Sequence, residues 1–244
     1  MTSLVNAREI GIAARLSLTD LALKAGTMVA VIGPNGGGKT SLLRALARTE
    51  DAVGTVTIDG QEVDATTEAQ RRRLLAFLPA AREATWPVTV ADTLKFGLGA
   101  PDPGRIDQLI GLLELERLAA RPIDRLSTGE RARAMLGRAI AGRARLLLLD
   151  EPLSNLDPYW VLRTIEIVRG EVTANHSAAM VSVHDLDMAA RFDRLLLVSN
   201  GAIIADDDPK AVLGSDMFKR AFRVERSDGG WAISATVVDP RSLQ

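Results

Sequence analysis

The residues whose types and spacing most clearly imply chemistry are Gly33-Pro34-Asn35-Gly36-Gly37-Gly38-Lys39-Thr40. Glycines in this pattern let successive backbone amides turn inward around phosphate oxygens, and the lysine ammonium is placed to neutralise β- and γ-phosphates. Thr40 brings a hydroxyl for Mg²⁺ and Ser41 a further phosphate contact. The amide dipoles of a helix starting at Lys39 favour an anion at its N-terminus. An ordinary glycine turn shares the composition but not the full match set between a strand and a helix.

A pair of acids, Asp150-Glu151, ends the apolar run Leu146–Leu149. Carboxylates buried at a strand end need a cation or protons. Asp150 is the candidate to hold Mg²⁺ through water, and Glu151 the candidate to orient a water attacking a γ-phosphate. Taken alone, such a pair is more often surface decoration. A third string, Leu126-Ser127-Thr128-Gly129-Glu130, precedes the acids. By itself it reads as a capping box, Ser127 answered by Glu130, at the start of a helix.

These strings need a scaffold, and the flanking sequence predicts one. Met28–Ile32 is a short β-branched run with the pattern of a strand buried on both faces, and residues 39–48 have leucines and alanines at helical spacing. Val56 and Ile58 alternate with polar residues up to Asp59-Gly60, a hairpin signal. Residues 89–142 turn helical, with Leu109, Leu112, Leu113 and Leu118 as one stripe between the breaks at Pro101 and Pro122. Apolar runs return at 146–149, 179–183 and 195–198, so the helical stretch interrupts one α/β sheet. A short helix and strands near 222–224 and 231–238 close the chain, with no chemistry visible there.

Bulk properties narrow the function further. A chain of 244 residues, 47% hydrophobic and 25% charged, belongs to neither the disordered nor the collagen-like class. Its apolar runs fall short of the ~20 residues that span a bilayer, and no basic head with an apolar stretch opens it as a secretory signal would. Without cysteine there is no disulfide, thiolate metal site or cysteine nucleophile. A formal charge of -1 argues against nucleic acid as a partner; the arginines at 71–73 and between 117 and 145 read as solvated helix faces.

The three strings in this order resemble the ABC-transporter ATPase family. The resemblance implies an α/β fold: a P-loop NTPase RecA-like core with an antiparallel β subdomain and an α-helical insertion. It assigns residues 1–85 and 144–213 to the core with its N-terminal β subdomain, 86–143 to the helical signature subdomain and 214–244 to a short extension. Leu126-Ser127-Thr128-Gly129-Glu130 becomes the signature that meets ATP on another subunit's P-loop, in a head-to-tail dimer. Ser154-Asn155-Leu156-Asp157 looks like the D-loop, and His184 like the switch histidine that contacts the γ-phosphate and steadies Glu151. His176 has only a structural reading. ATP and Mg²⁺ are the implied cofactors. A second ATPase subunit and transmembrane permease subunits are the implied partners, with a periplasmic or extracellular substrate-binding protein engaged indirectly. The implied place is the cytoplasmic face of the inner or plasma membrane.

The chain departs from the family in three places. Ala80 stands after Pro79 where a glutamine normally reaches Mg²⁺ and the attacking water, unless Glu83 or a water substitutes; the signature reads LSTGE rather than LSGGE; and residues 10–18 lack the ring that usually stacks on adenine. The wording at 76–79, 86–90 and 96–97 is similar to importers of iron-siderophore, haem and cobalamin, in which residues 80–90 line the groove for the permease. A non-transport ABC ATPase and a regulatory module that no longer hydrolyses ATP stay open as alternatives.

Overall fold

A computed structural model describes residues 3–81, 87–227 and 230–234. An antiparallel sheet of β1 (Val5–Ile12), β2 (Leu16–Leu23), β4 (Ala52–Ile58) and β5 (Gln61–Glu62) has the order β2-β1-β4-β5. Its β4–β5 turn is Asp59-Gly60, with φ of 52° and 76°. Positive φ at both central residues is what a two-residue hairpin on twisted strands requires, so the dipeptide signal is satisfied.

The second sheet holds β3 (Met28–Ile32), β6 (Leu75–Leu78), β7 (Leu146–Leu149), β8 (Ala178–Ser182), β9 (Arg194–Ser199) and β10 (Ala202–Asp207), in the order β10-β9-β3-β8-β7-β6. All its pairings are parallel except β9–β10. The strands read as apolar runs because both faces are covered. Met28, Ala30 and Ile32 join one layer with Leu94, Leu109, Met135 and Val168, while Val29 and Val31 join the other with Leu42, Leu46 and Ile58. For the site one feature of strand order matters most: β8 lies between β3 and β7, so its carboxyl end sits between the phosphate loop and the acid pair.

Helix α1 (Lys39–Ala47) follows β3 directly, and α2 (Glu68–Leu74) leads into β6. The helical stretch resolves into α3 (Val90–Lys95), α4 (Pro103–Leu112) and α5 (Thr128–Ala141). Leu109, Leu113 and Leu118 are buried as the stripe requires, with Leu112 only partly so. The chain continues through α6 (Pro158–Ala174), α7 (Leu186–Ala189), α8 (Pro209–Leu213) and α9 (Asp216–Phe222).

One expectation holds in the main and another needs correction. Arg72, Arg73, Arg117, Arg121, Arg125 and Arg143 are exposed, and none of the arginines at 71–73 or between 117 and 145 is fully buried. Some of the half-buried ones also bond within the fold: Arg71 donates to the Ala47 and Arg48 carbonyls, Arg131 to those of Ile123, Asp124 and Leu126, and Arg133 to those of Leu113 and Glu114 while lying over the Trp160 ring. Arginine stems cover apolar surface while their forked heads satisfy carbonyls left over at helix ends. In the tail Phe222 belongs to α9, and the strands are β11 (Val224–Ser227) and β12 (Gly230–Ile233). Phe222 completes a helix because it packs at 4.9 Å on Phe218, which in turn meets Trp231 at 5.3 Å. The strand expected to reach residue 238 ends at Ile233, and residues 235–238 lie outside the described residues.

Candidate functional site

The glycines after β3 are fixed by contact as much as by flexibility. A Cβ on Gly33 would lie 1.9 Å from the Val198 carbonyl oxygen, so only glycine lets the loop leave the sheet there. Gly38 caps α1 with φ of 109° and gives no side-chain hydrogen bond, leaving the first amides of α1 uncovered by a capping side chain. Lys39 is 7% exposed, and its Nζ donates to the carbonyls of Gly33 at 2.8 Å and Pro34 at 3.1 Å. Burial pushes its pKa below the ordinary lysine value, opposed by the nearby charges of Glu151 and Asp150. A desolvated ammonium held only by neutral carbonyls gains from an incoming polyanion.

Across the end of β8 stand the acids. Asp150 is 1% exposed and accepts at Oδ1 from the Ser182 hydroxyl at 2.6 Å. Its Oδ2 is buried without a hydrogen-bond partner. A lone buried carboxylate oxygen is the acceptor that a water of a hard cation's hydration shell would satisfy, so Asp150 fits Mg²⁺. Glu151 occupies the left-handed region, φ 52°, a rare backbone for a residue with a Cβ. Its N–H donates to Ser182 Oγ at 2.7 Å, and its carbonyl accepts from Ser154 Oγ at 2.8 Å. Its Oε1 lies 2.7 Å from His184 Nε2.

Between loop and acids opens a cleft of about 1000 Å³, lined by residues 35–41, Glu151 and His184 at one end. Residues 11–18, Val53, Asn200 and Gly201 line the rest. Lys39, Thr40, Ser41, Glu151 and His184 are thus brought together. Sequence reasoning missed Ser182, the link between the two acids; the available signal is one hydroxyl residue ending an otherwise apolar strand buried on both faces.

The signature string is elsewhere. Ser127 caps α5, its Oγ accepting from Glu130 N–H at 3.3 Å while Glu130 Oε2 accepts from Ser127 N–H at 2.8 Å. The capping box is real, and Ser127 and Thr128 remain exposed. The Ser127 backbone N–H, and after it the Ser127 side chain, hold the Glu130 carboxyl below the usual range. Leu126 is buried, and a Cβ on Gly129 would lie 3.6 Å from the Asn155 carbonyl. None of residues 126–130 lines the cleft. In the proposed D-loop, Ser154 holds Glu151, Leu156 packs on the core and Asp157 caps α6 through Trp160 N–H at 3.0 Å. Asn155 takes a left-handed φ of 61°. His176 turns the chain between α6 and β8 with φ 47°, which suits its structural reading. Ala80 follows β6, whereas Glu83 and with it residues 82–86 of the expected permease groove at 80–90 lie outside the described residues.

A phosphate loop between a buried strand and a helix, acids at a neighbouring strand end and a helical insertion define a P-loop nucleotide-binding cassette. The ABC transporter family pattern matches residues 16–154. The petrobactin import ATP-binding protein of Bacillus anthracis is 33% identical over 83% of this chain and 79% of its own length, and the hemin import ATP-binding protein of Pseudomonas fluorescens is 35% identical over 86% and 87%. The chain belongs to the ABC transporter family. The cobalamin import ATP-binding protein of Halobacterium salinarum is 34% identical over 91% of the chain, which spans 59% of that relative's length. In fold the chain is similar to an ATP-binding subunit of an ABC transporter, with TM-score 0.76 at 23% identity over 90% of this chain and 93% of that one. A dimeric cassette bound to ADP and phosphate gives TM-score 0.74 at 21% identity, over 85% and 99%. Among the described residues no helix is long and apolar enough to cross a membrane.

Proposed function

We propose that the chain is the ATP-hydrolysing subunit of an ABC importer, working as a head-to-tail dimer beneath a membrane permease. The observation that carries this reading is the Glu151–His184 contact of 2.7 Å in the cleft that also holds Lys39 and residues 35–41. Residues 33–38 and Lys39 bind the β- and γ-phosphates through inward amides and one ammonium. Thr40 and Asp150 hold Mg²⁺, which when bound neutralises charge on the phosphate oxygens. Glu151 orients the attacking water, and His184 holds the Glu151 carboxylate in line while reaching the γ-phosphate. The retained Glu151–His184 pair speaks against a regulatory module that has lost hydrolysis.

Leu126, Ser127, Thr128, Gly129 and Glu130 act in trans. Their absence from the chain's own cleft, with Ser127 and Thr128 exposed, leaves the capped end of α5 available to ATP on a second copy. Residues 154–157 sit beside that surface and tie it to Glu151 through Ser154. The relatives named for cobalamin, petrobactin and hemin import support a cargo of iron-siderophore, haem or cobalamin type. The subunit would dock on its permease at the cytoplasmic face, with a substrate-binding protein engaged indirectly.

The test is mass measurement by light scattering of the Glu151→Gln chain, with and without Mg-ATP. Blocked hydrolysis should trap an ATP-dependent dimer, and Ser127→Arg should abolish it. A Glu151→Gln chain that stays monomeric with Mg-ATP in the presence of its permease contradicts the reading.

A further inference from the structure

Ser182 is fully buried at the end of β8, where the register sets Leu149 opposite Val181 and Val31 opposite Ser182. Around it the strand is alanine, methionine and valine, so a hydroxyl at this point must find partners within the protein. It finds two. A serine hydroxyl has one proton to donate and lone pairs to accept with. The proton goes to Asp150 Oδ1 at 2.6 Å, and the oxygen accepts Glu151 N–H at 2.7 Å.

We propose that Ser182 is a positioning residue for hydrolysis, one hydroxyl that fixes both acids of the site at once. Toward Asp150 it occupies one carboxylate oxygen, so that Oδ2 alone is left for the cation's hydration shell. Toward Glu151 it anchors the amide of a residue held in the left-handed region, while Ser154 anchors the carbonyl of the same residue. Held at both ends, the Glu151 backbone keeps its carboxylate against His184. Donating and accepting through one oxygen also couples the two bonds: polarisation by the Glu151 N–H strengthens the bond to Asp150. The inference rests on the hydrolytic reading given above and adds a residue that touches neither nucleotide nor water.

The experiment compares Ser182→Thr with Ser182→Val, side chains of matched shape that differ in the hydroxyl, so packing changes cancel. Three measurements are made on each and on the wild type: kcat and KM for ATP, Mn²⁺ binding by electron paramagnetic resonance with a non-hydrolysable ATP analogue, and nucleotide affinity without metal. Ser182→Val should lower kcat about 10- to 100-fold relative to Ser182→Thr, the loss expected for a buried hydrogen bond to a charged group. KM should stay within about threefold, because the phosphate loop is untouched. Half-saturating Mn²⁺ should rise in the valine variant and not in the threonine variant, with metal-free nucleotide binding equal in both. Equal kcat and equal Mn²⁺ binding in the two variants would overturn the proposal. So would a valine variant that loses metal-free nucleotide binding as severely as Mn²⁺ binding, the mark of a general structural role. A wild-type chain without ATPase activity would defeat the hydrolytic reading instead, and the Mn²⁺ comparison would still decide whether the hydroxyl sets Asp150.

Discussion

At the phosphate end of the cleft, Lys39, Asp150, Glu151 and His184 lie at or just beyond the carboxyl ends of buried parallel strands, held by hydrogen bonds of 2.6–2.8 Å. At the opposite end, residues 11–18 and Val53 offer the surface of an antiparallel sheet, with Leu18 65% and Val53 55% exposed. One guanidinium stands there, Arg15, tied to Glu50 at 3.0 Å. The first end is built for a single charge pattern, and its cost is visible in a desolvated lysine and a left-handed glutamate. The second end is aliphatic and loosely framed. On the proposed ATP-hydrolysing reading, the contrast implies that the triphosphate supplies most of the binding energy and all of the chemistry, whereas the base adds little.

The largest test of that contrast strikes the side chains proposed to carry hydrolysis. Glu151→Gln keeps the shape and loses the carboxylate charge, so kcat should fall about 10²- to 10⁴-fold while ATP affinity is retained, as measured by phosphate release and by equilibrium binding. Activity that survives the substitution would remove Glu151 from its assigned role and leave the phosphate end as a binding site alone.

Lys39→Met comes next and should act in opposite directions on function and stability. Triphosphate binding should weaken strongly, because the ammonium is the cation nearest the loop. The nucleotide-free chain should nonetheless melt higher near neutral pH. Burial holds the Lys39 pKa below its unfolded value, so between the two the unfolded chain binds more protons and stability rises with pH. The cost of the buried cation is therefore full below the folded pKa and fades as pH climbs toward the unfolded one. Methionine removes the cost and its pH dependence, with each ~1 kcal/mol recovered worth ~2–4 °C in a chain of this size. Melting curves across alkaline pH check this, and an unchanged slope would mean that Lys39 carries no such strain.

The proposed phosphate end was legible in sequence because its residues sit in contiguous strings, 33–40 and 150–151, each next to an element whose periodicity is unambiguous. The apolar runs likewise announced the parallel strands, and Asp59-Gly60 announced its hairpin. What contiguity does not reveal is strand order. Ser182 acts across the sheet on residues 31 and 32 positions away, which no local pattern encodes. The same holds for Arg105, buried on α4 against Glu171 of α6 at 2.7 Å. It holds too for the tail, whose Arg226 pairs at 2.5 Å with Asp187, three residues past His184. A segment without visible chemistry thus rests on the helix that follows the histidine.

The smallest effects belong to the base end, and they decide how far the contrast runs. Arg15 sits where its backbone abuts the phosphate loop: a Cβ on Gly38 would lie 3.3 Å from the Arg15 carbonyl. Glu50 holds the guanidinium and is itself paired with Arg44 of α1. A base in this part of the cleft would meet Leu18, Val53 and a planar cation, contacts that any purine or pyrimidine face can make. Arg15→Ala should therefore weaken ATP and GTP alike by only ~2- to 5-fold, the scale of an exposed cation–π contact. Leu18→Ala should cost a similar factor through lost apolar burial. Inorganic tripolyphosphate, which has no base, should bind both variants as it binds the wild type. Adding the missing ring with Leu18→Tyr should strengthen nucleotide binding and leave tripolyphosphate unchanged. A wild-type preference for ATP over GTP beyond ~100-fold, about 2.7 kcal/mol, would require a hydrogen-bonded base pocket and would erase the difference between the two ends.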